Sequence, residues 1–171
     1  EEANRLAAGP VRMWRWGHRW VRPLQKEEMS VEVSVSGTVA GFDHQIPEEA
    51  AGASLPADSA RGIAERLLRG PLGLDPGGLE FAGATTQDRP ARTDHTFTWR
   101  RLGPPLGDGE LRYEVRIQGD RPGGFREYVH VPEAWTRGYE RLRSLNSAAG
   151  MAANALALGL LIAVVAVLFR R

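Results

Sequence analysis

The sequence predicts an α+β fold, an antiparallel sheet with one or two packed helices, followed by a C-terminal transmembrane helix. Three observations predict it. Several stretches alternate apolar and polar residues with a period of two, as strands with one solvated face do. One stretch, Ala57–Arg69, keeps its apolar residues on a single helical stripe. From Ser144 to Phe169 the chain holds no Asp, Glu, Lys, Arg or His.

Taken in order, Glu1–Ala8 reads as the last turns of a helix, stopped by Gly9-Pro10. Val11–Arg22 alternates loosely, with Trp14, Trp16, His18 and Trp20 on one face if it is extended. Val31, Val33 and Val35 alternate with Glu32, Ser34 and Ser36, and Ser36-Gly37 turns the chain into a return strand over Thr38–Ile46. A loop from Pro47 leads into the helix Ala57–Arg69, where Ala60, Ile63, Ala64, Leu67 and Leu68 form the stripe and Gly70-Pro71 ends it. Leu79–Thr86 is a strand. His95, Phe97 and Trp99 mark the next one, and Leu111–Gln118 is the clearest, with Leu111, Tyr113, Val115 and Ile117 on one side. Asp120–Gly124 reads as a turn, after which Phe125–Val131 returns. The Gly/Pro-rich stretches 70–78 and 103–109 are loops.

Pro132 opens a last helix carrying Trp135, Tyr139 and Leu142 on one face, running straight into the apolar segment. Twenty-six residues at about 1.5 Å each reach roughly 39 Å, enough to cross a hydrocarbon core of about 30 Å with tilt. Trp135 and Tyr139 then fall near the water–lipid boundary. Four segments result: 1–10, the end of a preceding helix; 11–143, an α+β domain; 144–169, the transmembrane helix; and 170–171, a basic stop.

Charge and composition narrow the function. The 22 basic residues include Arg170 and Arg171, which leaves 20 against 21 acidic ones before them. A near-neutral domain lacks the positive field of a general nucleic-acid binder. No cysteine is present, so disulfides and thiolate metal sites are excluded.

Candidate chemistry is sparse. The Arg/Trp mixture of 11–22 can stack on RNA or sit on lipid headgroups, but the simpler expectation is a strand that buries its indoles with arginines along its edge. Asp43-His44 and Asp94-His95 resemble orienter–base pairs or two metal-ligand pairs, yet strand neighbours point to opposite faces, so each pair splits unless a bulge intervenes. His95 shares a face with Phe97 and Trp99 and reads as a half-buried structural imidazole. No HExxH, GxSxG or phosphate-binding glycine loop occurs. The expectation is no catalytic residue, no cofactor and no metal ligand in this chain. In the membrane segment, Ala155, Gly159 and Ala163 repeat at four-residue spacing and Asn154 carries an amide, features that suit packing against further helices.

The succession of segments carries a resemblance. "RWVRPLQKEE", then "GTVAGFDHQIPEEAAGASLPADSARGIAERLL", "RTDHTFTWRR", "YEVRIQGDRPGGFREYVHVPEAW" and "YERLRSLN" before a membrane span resemble the extracytoplasmic region of large bacterial CPBP-family (CAAX-protease-like) intramembrane metalloproteases. The helix-then-strands order is also similar to PepSY-like domains. The resemblance implies that catalysis, with zinc, belongs to EExxxR, FxxxH and HxxxN/D motifs in helices other than this one. Those motifs do not fit here. Glu1-Glu2 meets Arg5 one residue early, Glu27-Glu28 and Glu48-Glu49 meet Glu32 and Ala53, and Phe125 stands five residues before His130. The implied role is a non-catalytic domain at the outer face of a bacterial inner membrane. Its implied partners are the lipid bilayer, other transmembrane helices of the same protein and protein or peptide substrates. The alternative is a single-pass PepSY-like module that binds or inhibits a separate protease. In either case the sequence reads as a piece of something longer.

Overall fold

The computed structural model describes residues 11, 12, 14–103 and 106–170. The helix expected over Glu1–Ala8 lies outside the described residues. Seven strands follow in chain order: β1 (Arg15–Val21), β2 (Glu28–Ser34), β3 (Val39–Gln45), β4 (Leu79–Arg89), β5 (Arg92–Arg101), β6 (Glu110–Gln118) and β7 (Arg121–His130). They form one antiparallel sheet in the order β1-β2-β3-β7-β6-β5-β4. Helix α1 (Ala57–Arg69) lies between β3 and β4 in the chain, and helix α2 (Glu133–Phe169) ends it. The chain divides into two units at Val131, the sheet with α1 and the long helix.

Two meanders make the sheet, β1-β2-β3 and β4-β5-β6-β7. They join through a short seam in which Gly41, Phe42 and Asp43 of β3 pair with Arg126, Phe125 and Gly124 of β7. Side-chain alternation then sorts the residues. Leu111, Tyr113, Val115 and Ile117 turn to one face with Phe97, Trp99 and Phe125, and all seven are buried. Arg112, Glu114, Arg116 and Gln118 turn to the other.

Helix α1 covers the apolar face. Its Ala60, Ala64 and Leu68 are buried against the strand residues, and Ile63 and Leu67 pack beside them. Asp58 in the first turn and Arg66 and Arg69 in the last complement the helix dipole. Gly70 closes it, its N–H donating to the Arg66 carbonyl at 2.9 Å. The 57–69 helix expected from the stripe matches the observed one residue for residue.

Several details differ from the sequence reading, and β4 runs on to Arg89, past the expected Thr86. The expected turn at Asp120–Gly124 is a two-residue loop, Gly119-Asp120, with Gln118 paired to Arg121. Gly119 takes φ +64°, a conformation costly for other residues, so the turn closes one step earlier and Arg121–Gly124 join the strand. Val35 leaves the expected strand for the turn before Gly37 (φ +80°) and is exposed. His95 is fully buried, not half-buried, at 3 % exposure.

Helix α2 is one unbroken run of 37 residues, about 55 Å long. Trp135 and Tyr139 stack at 5.4 Å between ring centres. The helix is long and apolar enough to cross a membrane, and none of its residues is buried within the chain.

Candidate functional site

The two Asp-His pairs separate as strand geometry requires. Asp43 faces the polar side and pairs with Arg116, which also donates to the Gly123 carbonyl at 2.8 Å. His44 faces the apolar side and donates through Nε2 to Glu27 at 2.8 Å. His95 donates through Nε2 to the Leu55 carbonyl at 2.8 Å, which leaves Nδ1 to accept from the Thr86 hydroxyl at 3.0 Å. The first bond holds the approach to α1, and the second ties β5 to β4. Among the described residues no three His, Asp or Glu side chains gather as a metal site.

Asp94 belongs to a structural centre that the sequence reading missed. The guanidinium of Arg92, buried like Asp94 itself, donates to it at 2.8 and 3.3 Å. The same group donates to the carbonyls of Pro47, Glu48 and Ala50 at 2.9, 3.2 and 2.7 Å. Arg89 adds a second cation, 3.2 Å from Asp94. One buried arginine therefore pins the loop that delivers the chain from β3 to α1. The available signal was Arg92-Thr93-Asp94, two opposite charges two residues apart on one strand face.

The polar face carries two shallow grooves of about 330 and 290 Å³ that share Asp43 and Arg116. Gly41 and Gly124 floor the first of them. A Cβ on Gly124 would lie 3.2 Å from an Asp43 carboxylate oxygen and 3.3 Å from the Arg116 guanidinium. Its charges pair with one another: Arg15 with Glu32 at 2.9 Å, Arg126 with Glu114 at 2.9 Å, and Arg112 with Glu110 at 2.7 Å. Arg112 holds the Glu110 carboxyl below its usual range, while partial desolvation opposes the shift. Glu114 raises the Arg126 guanidinium. Ion pairs of this kind, exposed to solvent, each contribute little to stability.

The apolar face differs from expectation at β1. The indoles are not buried. Trp16 and Trp20 are 75 % and 51 % exposed, and Trp14 is exposed too. Arg15 lies on the opposite, polar face, half-buried, where it pairs with Glu32 and donates to the carbonyls of Arg12 at 2.7 Å and Glu127 at 3.0 Å. The reason is size. Helix α1 has 13 residues, about 20 Å of length, while seven strands at about 4.8 Å spacing span roughly 29 Å. The helix packs on β5, β6 and β7; beyond them Ala40, Val39 and Phe42 of β3 still reach the core, while the β1 face stays exposed. Phe42 meets Phe125 at 6.5 Å across the seam, and from there Val31, Val33, Met29, Trp16, His18 and Trp20 continue the apolar face outward.

Near the covered end, Glu127 is buried with one oxygen accepting from the Arg12 amide at 3.1 Å and the other 3.7 Å from the Arg12 guanidinium. Burial raises the neighbouring Tyr113 hydroxyl above its usual range, and Glu127 adds to the shift. The two strands that end the sheet order, β1 and β4, each have a strand neighbour on one side only. The 11 residues of β4 are mostly exposed. Among the described residues this arrangement offers three surfaces: a strand edge at β4, a paired-ion groove and an open aromatic face. No family model, curated protein or solved structure matches the chain.

Proposed function

We propose that this chain is the non-catalytic extracytoplasmic domain and following membrane helix of a bacterial CPBP-type intramembrane metalloprotease, and that it presents protein substrates to the membrane. The observation that carries the reading is the free edge of β4 on a sheet joined through Val131-Pro132 to a membrane-length helix. Extended polypeptides add to such edges through backbone hydrogen bonds and need no catalytic group there. The segment order quoted above supports the family, and the small-residue face Ala155–Gly159–Ala163 suits further helices beside α2.

Three measurements test it. The coding sequence after Arg171 is expected to encode more apolar spans with EExxxR, FxxxH and HxxxN/D; a stop codon there overturns the protease reading in favour of the single-pass module. A cysteine at Asp108 should react with an impermeant maleimide in intact spheroplasts, and one after Arg171 only after lysis. The reverse labelling overturns the extracytoplasmic placement. In the intact protease, charging the edge with Thr85→Lys and Gln87→Lys should raise KM for a membrane substrate while kcat holds. Unchanged kinetics would remove substrate presentation.

A further inference from the structure

We infer that the β1–β2 hairpin seats its aromatic face and tip in the headgroup layer of an anionic membrane. The inference stands on the hairpin itself and on the membrane-length helix, and holds whether or not the protease reading does.

Four observations meet there. The face is open and amphipathic: Trp16, His18, Trp20 and Met29 lie on one side of the hairpin, and His18 rests 4.3 Å from the Trp20 ring. Indoles prefer the water–lipid boundary because they present an apolar body with one polar N–H. The tip is Arg22-Pro23-Leu24-Gln25-Lys26, and its Leu24 is fully exposed with φ +64°. A leucine in the left-handed region is strained, and one held there in water contributes no burial in return. Contact with acyl chains supplies that burial.

Charge points the same way. Residues 11–28 hold five basic side chains (Arg12, Arg15, Arg19, Arg22 and Lys26) against Glu27 and Glu28. Arg12 and Arg15 are used inside the fold, while Arg22 and Lys26 flank Leu24 at the exposed tip. Basic residues beside an exposed apolar one are the pairing that anionic headgroups attract. The tether completes the argument. Only Val131 and Pro132 separate β7 from α2, whose Trp135–Tyr139 stack is itself boundary chemistry. The sheet therefore lives at high local concentration next to lipid.

The test uses the full chain in vesicles of phosphatidylcholine and phosphatidylglycerol. The chain has no cysteine, so single reporters are clean: His18→Cys on the proposed face and Asp88→Cys at the β4–β5 hairpin, each carrying an environment-sensitive fluorophore. The His18 reporter should shift to the blue and lose emission to a headgroup spin-labelled lipid, and the Asp88 reporter should do neither. Trp20→Ser with Leu24→Ser, or Arg22→Glu with Lys26→Glu, should restore its emission, with circular dichroism confirming the fold. Because the reporter replaces a residue of the face, emission of the native indoles with brominated lipid gives a second reading in the unlabelled chain, compared before and after Trp16→Phe and Trp20→Phe. Equal quenching of both reporters, or of neither, overturns the proposal. So does a His18 reporter shielded from iodide but not quenched by lipid, with shielding that grows with protein density, because the occupant is then a second copy of this chain.

Discussion

The β4–β7 meander and the β1–β3 meander follow the same alternation of apolar and polar residues, and they end in opposite environments. On the first, Phe97, Trp99, Tyr113, Val115 and Ile117 lie under α1, and Arg61 closes its rim over the Phe81 ring at 4.1 Å. On the second, Trp16, Trp20 and Met29 stay in the open. Alternation tells which side chains share a face. What lies over that face is decided by the number and length of helices. A 13-residue helix is not long enough to serve seven strands, and the uncovered strands are left with aromatic side chains to place elsewhere.

Tyr113→Ala or Phe97→Ala should cost about 3–5 kcal/mol, as loss of a large buried aromatic does. Trp16→Ala and Trp20→Ala should stay within about 0.5 kcal/mol, like other exposed sites. Urea unfolding of residues 11–140 followed by circular dichroism reads both, and that segment should unfold cooperatively without the membrane helix. Comparable losses from Trp16→Ala and Phe97→Ala would mean that β1 is buried in solution.

Ion pairs should divide along a different line, inside against outside. Asp94→Ala leaves the buried Arg92 guanidinium without its carboxylate and should cost about 3–5 kcal/mol. Asp43→Ala, at the more exposed pair with Arg116, should cost about 0–1 kcal/mol. The same denaturation series checks the ratio, and equal losses would show that Arg92 does not pin the 47–50 loop. A smaller effect of opposite sign is expected at the hairpin tip. Leu24→Gly should stabilise the chain in water by about 1 kcal/mol by relieving the left-handed backbone.

The smallest effects are on pH. The Tyr113 hydroxyl titrates above its usual value near 10 because burial disfavours the phenolate, and Glu127 adds to this. Above about pH 10 the folded chain keeps a proton that the unfolded chain releases. Stability from this group is therefore intact below pH 10 and lost as pH climbs through the folded value. Tyr113→Phe should flatten that alkaline fall in the denaturation midpoint. Glu110 behaves oppositely. Its lowered carboxyl contributes a small stabilisation that is present above about 4.5 and lost as pH falls through the folded value. Arg112→Ala should remove most of that acid-side slope.

Much of the fold was legible because its signals are local. The stripe at Ala60, Ile63, Ala64, Leu67 and Leu68 specified α1 to the residue, and the alternation at Leu111–Ile117 specified both faces of β6. The membrane-length helix is equally direct, since 26 residues without a charge admit few other uses. The Gly119-Asp120 turn was misplaced because Pro122-Gly123-Gly124 is the stronger local turn signal. It loses to pairing, which places Gly124 opposite both Arg116 and Asp43 and Gly123 in a bulge against Gln118, where side chains would crowd. The site was the least legible part. Arg92 is one arginine among many in the sequence, and only the path of the 47–50 loop makes it a pin.

By itself the sequence determined the classes of element, the faces of each strand and helix, and an apolar segment long enough to span a membrane. These follow from periodicity and from the rise per residue, which neighbours along the chain fix on their own. Only the tertiary structure decided that β3 joins β7, that Trp16 and Trp20 stay exposed, and that Asp94 answers to Arg92 and not to His95. Those outcomes depend on which elements reach one another across the sheet, and alternation is the same for a strand that is covered and a strand that is not.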